Sequence, residues 1–373
     1  MKVVITGIGI VSPAGIGKEA LWDALVQGRS CIAPIERLNG AYEGAEVKGF
    51  SFESNFEDRR FRRAALVSRF ALVAAKLALK DAGFNAAPGG LERMRAGVVS
   101  GITHGALNFS CEFHNSYMEE GPAGASPALF SDSVLNATTG SLSLAFSARG
   151  PSHTLIGDSP VGLQALRLGS MLIASKKTQI CMVAASEVFE EILAFSYSRL
   201  GHISGRAPSF NAGEGSAVLI LESLEAALER GAMPLAEVGG CSVSTGKDLV
   251  SSLTKTCADS LKNAGLSLNS VTHVITRHPY WLGDYEEKAF AGLLRGKSVS
   301  STSACIGECF GLSSLTDIAM AAIAVNKGKI FDSMCLDSPA LQTAGATPLE
   351  PLNVLVASTG IKCEAGCAVL KRI

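Results

Sequence analysis

Apolar and polar positions alternate along this chain in two periods. Continuous apolar runs of five to eight residues mark strands buried on both faces, and they are separated by stretches with helical spacing. Residues 71–83 (ALVAAKLALKDAG) carry a helical apolar stripe that stops at a glycine, and 95–100 (RAGVVS) follows as a strand. The same sequence of elements recurs later, with a helix over 255–265 (KTCADSLKNAG) and a strand over 272–276 (THVIT). A glycine-containing turn entering a helix over 157–173 has its counterpart over 303–323. Strands are predicted next at 179–184 and 330–335, and each half closes on a strand, 215–222 and 366–372. A duplicated βαβα half accounts for this order most simply. The expected fold class is α/β, with halves at 1–230 and 231–373. Two stretches, 39–60 and 198–213, carry neither period and are predicted to be surface loops.

Composition narrows the function classes. The 373 residues are 47% hydrophobic and 18% charged, with a formal net charge of -1. Such a balance offers no electrostatic footprint for nucleic acid or an anionic membrane. Mean hydropathy is +0.28, which suggests apolar surface hidden between subunits, although abundant Ala and Gly contribute to it. No run reaches the length of a membrane span. Met1 to Gly7 reads as a first strand rather than a signal peptide, so the expected location is the cytoplasm. Ten cysteines form no zinc-type CxxC or CxxH pair; Cys305/Cys309 and Cys363/Cys367 have CxxxC spacing without neighbouring histidines. They are read as small buried hydrophobes rather than metal ligands or disulfides, and no metal or cofactor is expected.

Several segments, in order, carry a resemblance. The opening VVITGIGIVSPAG is followed by LWDALVQGRSCIAPI; Gly121-Pro122 and Ser126-Pro127 lead to NATTG at 136–140; NAGEGSAVLILE at 211–222 contains a glycine-acid-glycine step; and Arg230-Gly231-Ala232 precedes LAEVG at 235–239. Each is weak alone. Together they identify the chain as similar to the β-ketoacyl-(acyl carrier protein) synthases over nearly its whole length. The resemblance implies the thiolase fold, a five-layered αβαβα arrangement with two duplicated halves, and a dimer formed across the first half.

The chemistry implied by that family needs a thiol at a helix N-terminus to take up the acyl group, two histidines for decarboxylation and carbonyl polarisation, and a supporting lysine. The matching positions hold other residues. The nucleophile falls on Ser159, the lysine on Ser303 and the second histidine on Glu308. Counted without gaps, the first histidine falls on Thr276, and His278 takes its place only with a two-residue slip. The gating phenylalanine falls on Ile361. His104, His114, His153 and His202 are read as ordinary polar or capping residues.

These departures imply a subunit without catalysis of its own, similar to the chain-length factors that pair with an active ketosynthase. Its short length, with a trimmed segment before Gly213, resembles subunits of bacterial aryl polyene pathways. The implied partners are an active β-ketoacyl-ACP synthase subunit and, through the complex, acyl carrier protein. On a helix over 107–118 and the segment 126–134, Phe109, Phe113, Leu129 and Phe130 are the expected tunnel-end or interface positions. The alternative readings are a stand-alone malonyl-ACP decarboxylase, which Glu308 disfavours, and a serine-dependent acyltransferase, which needs a base beside Ser159.

Overall fold

A computed structural model describes residues 1–92, 94–199, 211–276, 284–331, 353–360 and 362–373. Among the described residues, ten strands build the main sheet: β1 Val3–Ser12, β2 Ala96–Ile102, β3 Ser152–Ile156, β4 Ile180–Glu187, β5 Gly215–Ser223, β6 Ala236–Thr245, β7 His273–Thr276, β8 Ser298–Ser300, β9 Asn353–Thr359 and β10 Glu364–Lys371. A two-residue strand, Gly15–Ile16, pairs beside β1 as the eleventh. The principal helices are α1 Lys18–Val26, α2 Leu66–Asp81, α3 Leu107–Glu120, α4 Pro127–Ser133, α5 Ala137–Phe146, α6 Val161–Ala174, α7 Glu191–Arg199, α8 Leu249–Ala264, α9 Asp284–Leu294 and α10 Gly311–Lys327.

The strand order is β8-β7-β9-β10-β6-β1-β5-β4-β2-β3. Its two ends have the same construction. In one, β2 pairs in parallel with β3 and β4, β4 runs antiparallel to β5, and β5 runs antiparallel to β1. In the other, β7 pairs in parallel with β8 and β9, β9 runs antiparallel to β10, and β10 runs antiparallel to β6. Even the register slips agree, at Ile5/Gly7 in β1 and at Val238/Gly240 in β6. Among the described residues, the register pairs Val4 with Glu237 and Ile5 with Ala236 join the two strand sets. The duplication read from the spacing of elements is thus present in the hydrogen bonding.

Layering follows from the two-residue period of a strand. Along β4, Cys181, Val183 and Ala185 face one core, while Ile180, Met182 and Ala184 face another. Along β9, Val354 and Val356 share the first core, while Leu355 and Ala357 face a third. The shared core holds α6 and α10; the outer cores hold α2 with α5 on one side and α8 with Phe290 of α9 on the other. This is the five-layered αβαβα stack. Helix α10 lies at its centre and is buried on every side from Gly311 to Val325, which accounts for its lack of a polar face.

Most predicted elements are present with shifted ends. The first expected helix starts five residues earlier, at Leu66, because its buried stripe already includes Val67 and Phe70. The expected loop over 39–60 needs correction. It contains a strand at Glu43–Ala45, a helical turn at Phe52–Asn55 and the start of another at Arg59–Phe61. These pieces were hidden because each is too short to show a period. Of the strand expected at 330–335, Ile330 and Phe331 are described and belong to no strand, and the rest lies outside the described residues. No helix among the described residues is long and apolar enough to cross a membrane.

Candidate functional site

The C-terminal ends of β2 and β4, the start of α6 and the start of α10 meet at one end of the first strand set. Their close approach depends on glycine. A Cβ on Gly162 would lie 2.6 Å from Ser314 Oγ, and one on Gly311 would lie 2.6 Å from Val161 Cγ1. Without those two glycines the central helices could not cross at their N-terminal turns.

Ser159 stands just before α6, fully buried, behind Pro160 at the cap position. Its N–H donates to Asp158 Oδ1 at 2.7 Å, and its hydroxyl reaches the same oxygen at 3.4 Å. From α10, the Ser314 hydroxyl donates to the Ser159 carbonyl at 2.6 Å and pins the turn across the central layer. Among the described residues, a carboxylate therefore neighbours this hydroxyl. A serine needs an imidazole or comparable base to become a nucleophile.

Glu308 is 5% exposed and bonded to the protein around it. Its Oε1 accepts the Phe310 N–H at 2.7 Å and the Ser313 hydroxyl at 3.0 Å, so the carboxylate closes the first turn of α10. Its backbone is held as well: its N–H donates to the Asn211 carbonyl and its carbonyl accepts from Gly213. An ionised carboxylate only accepts hydrogen bonds, whereas polarising a thioester carbonyl requires a donor. Ser303 begins the short helix Ser303–Ile306, its hydroxyl 2.7 Å from that of Ser301. It brings no positive charge. Thr276 is the last residue of β7 and is buried. His278 and Ile361 lie outside the described residues, as does His202.

One grouping had no signal in the sequence. His104 follows β2 and places Nδ1 3.2 Å from Glu187 Oε2 and Nε2 3.0 Å from the Tyr197 hydroxyl. Glu187 also accepts the Thr103 N–H at 2.6 Å. Phe310 adopts φ 51°, in the left-handed region where non-glycine backbone is strained. That turn lays its ring edge-on to His104, with centroids 4.5 Å apart, and stacked on Tyr197 at 5.3 Å. Burial, followed by the charges of Asp158, Glu187 and Glu308, pushes the Tyr197 phenol well above its usual range. Three carboxylates thus surround this corner, a poor setting for an oxyanion. No local pattern could reveal the group, since His104 and Glu187 are 83 residues apart. His114 and His153, by contrast, are exposed.

The expected tunnel-end residues lie near α3 and α4. Phe109 and Leu129 line a surface cavity of about 730 Å³ together with Ser126, Val134 and Leu144. Phe113 and Phe130 do not line it; they pack on each other with ring centroids 5.5 Å apart, and Phe130 is 55% exposed. Among the described residues, no cluster of three or more His, Cys, Asp or Glu side chains could hold a metal ion.

Comparison with known proteins agrees with this architecture. The family model described as beta-ketoacyl synthase, N-terminal domain, matches residues 1–227. The 3-oxoacyl-[acyl-carrier-protein] synthase 2 of Synechocystis sp. is 25% identical over 376 aligned residues, covering 91% of this chain and 88% of that protein. The protein of the same description from Staphylococcus aureus is 27% identical over 259 residues, 64% of this chain and 62% of its own length. A solved structure described as the ishigamide ketosynthase/chain length factor superposes with a TM-score of 0.84 at 19% identity, covering 100% of this chain and 99% of the other. A beta-ketoacyl synthase from Burkholderia phymatum STM815 gives 0.86 at 20% identity, with the same coverage. At these identities the superpositions speak for the fold.

Proposed function

Because the chain belongs to the β-ketoacyl synthase family, we propose that it is a non-catalytic, chain-length-factor-like subunit. It pairs with an active ketosynthase in a fatty-acid or polyketide assembly line, shapes the partner's acyl tunnel and stabilises it. The observation that carries this reading is Ser159. A hydroxyl bonded to Asp158 occupies the position that matches the family's thiol, and Glu308 spends its carboxylate on the first turn of α10. Acyl carrier protein would meet the pair rather than this chain alone, as in the solved complex described as a type II PKS acyl-carrier protein with its ketosynthase.

An exposed apolar surface supports a partner. Among the described residues, strand β3 ends the sheet with one edge unpaired, and Ile156 on it is 60% exposed. Tyr117, Met118, Phe130 and Leu144, on helices α3 to α5 of the same half, are also exposed. A surface of this kind fits an obligate interface. The halves are assigned to 1–230 and 231–373. In support of that boundary, the Arg230 guanidinium is bidentate on Glu222 at 2.7 and 2.6 Å and lies 4.1 Å from the Phe84 ring centroid.

The test is exposure of the purified chain to acyl and malonyl carrier thioesters, read by intact mass, alone and with a co-expressed ketosynthase. No adduct on the lone chain, no decarboxylation and a one-to-one complex are expected. An acyl group on Ser159 would instead establish a serine acyltransferase, and loss of carbon dioxide from the malonyl carrier would establish a decarboxylase.

A further inference from the structure

Cys31 and Cys305 are brought together from opposite ends of the chain. The Cys31 N–H donates to the Cys305 carbonyl at 2.8 Å, which holds the two residues side by side. Arg29 places Nη1 3.9 Å from Cys31 Sγ. The two sulfurs differ in access: Cys31 is half-buried in the loop after α1, whereas Cys305 is 1% exposed on the Ser303–Ile306 helix. We propose that Cys31 is a thiol–disulfide exchange site and that Cys305 is its resolving thiol. This inference does not rest on the functional reading above.

The reacting partner is a small disulfide such as oxidised glutathione. The Cys31 thiolate attacks one of its sulfurs, forming a mixed disulfide and releasing one small thiolate. Cys305 then gives up its proton to solvent and attacks the Cys31 sulfur, expelling the second small thiolate. Two protein thiols are oxidised by two electrons, and one small disulfide is reduced to two thiols.

The surroundings divide these roles. The hydrogen bond from Cys305 chiefly, opposed by burial and assisted by Arg29, lowers the Cys31 pKa to about 7. The same hydrogen bond, burial and the negative charge on Cys31 push the Cys305 thiol up, with Cys309 adding to the effect and Arg29 opposing it. Cys31 is thus the ready nucleophile and Cys305 the retained donor. Once Cys31 is capped, the hydrogen bond to its thiolate and its charge are both gone, and burial is what still opposes ionising Cys305. A second pair, Cys257 and Cys367, has its sulfurs 2.8 Å apart, but the residues are 6% and 0% exposed, so no small disulfide reaches them. Closing the Cys31–Cys305 bond would tie the loop after α1 to the segment that carries Glu308.

The experiment treats the full chain with oxidised glutathione at pH 7, quenches with iodoacetamide and maps the peptides. A Cys31–Cys305 link is expected in the unaltered protein, none in Cys31→Ser, and glutathione retained on Cys31 in Cys305→Ala. Alkylation of Cys31 at pH 7 should run roughly fivefold faster than that of partly buried Cys363 and lose that advantage in Cys305→Ala. Cys31→Ser alters a half-exposed loop position, so it decides the matter should Cys305→Ala fail to fold. Glutathione spread evenly over Cys31, Cys111 and Cys363, a link confined to Cys257 and Cys367, or no reaction at Cys31 would each overturn the proposal.

Discussion

At the scale of single residues, what surrounds Ser159 matters as much as its hydroxyl. A cysteine introduced there would sit beside the Asp158 carboxylate, and a neighbouring negative charge raises a thiol's pKa and so reduces its thiolate fraction. Ser159→Cys is therefore expected to give no elongation above the unaltered chain when assayed with acyl and malonyl carriers. Substantial turnover would show that Ser303 and Glu308 are not the positions that matter. Glu214 has a different role. It is 1% exposed and accepts from both Arg37 guanidinium nitrogens, at 3.1 and 2.6 Å, and from the Val47 and Phe189 N–H groups. Removing one partner of such a pair strands the other, so Glu214→Ala should cost about 3 kcal/mol, at the lower end because Arg37 stays partly solvated. Urea unfolding measures this, and a loss smaller than about 1 kcal/mol would contradict the assigned structural role.

At the scale of elements, β7 carries a titratable group in its first position. His273 is 1% exposed, with Nε2 2.8 Å from Ser300 Oγ on β8, and burial lowers its pKa to about 4. Its folded value lies below the unfolded value near 6.5, so between the two the unfolded chain binds more protons. Stability contributed by the neutral ring is whole above pH 6.5 and is lost as pH falls towards 4. The loss attributable to this one side chain is roughly 3 kcal/mol across that window. His273→Gln should flatten that part of the stability–pH curve, measured by denaturant unfolding at a series of pH values. An unchanged slope would assign the pH dependence to other groups.

At the scale of the whole molecule, the proposed function puts the closure of a partner's tunnel at the face built from α3, α4, α5 and β3. If bulky side chains from this chain close it, shrinking them lengthens the product and leaves the chemical step alone. Phe109→Ala, Phe113→Ala and Phe130→Ala test this in the reconstituted pair by the distribution of product chain lengths. Phe109 packs against the first outer core, so its truncation carries a cost that can approach the roughly 3–5 kcal/mol of a core phenylalanine. Exposed Phe130 should cost the lone chain much less. Longer products from at least one assembled variant are expected. Three normally assembled variants with an unchanged distribution would leave these residues as plain packing and move this chain's contribution elsewhere.

Local signals in the chain were enough for the duplicated α/β architecture, because each half repeats the order of helix, strand and glycine turn, and burial on both faces writes itself as continuous apolar runs. The departures proposed at Ser159, Ser303 and Glu308 come from the same kind of reading, by position relative to an ordered set of motifs, and await the acylation test. The short elements within 39–60 were not, since a three-residue strand such as Glu43–Ala45 is too short to have a period. What only the tertiary structure decided is which distant groups share a corner. The Ser314 hydroxyl meets the Ser159 carbonyl, His104 meets both Glu187 and Tyr197, and Cys305 meets Cys31. These pairings follow from the ends of parallel strands converging and from two central helices crossing at Gly162 and Gly311. Contacts made across a sheet and between layers depend on how elements stack, and a linear pattern holds no record of that.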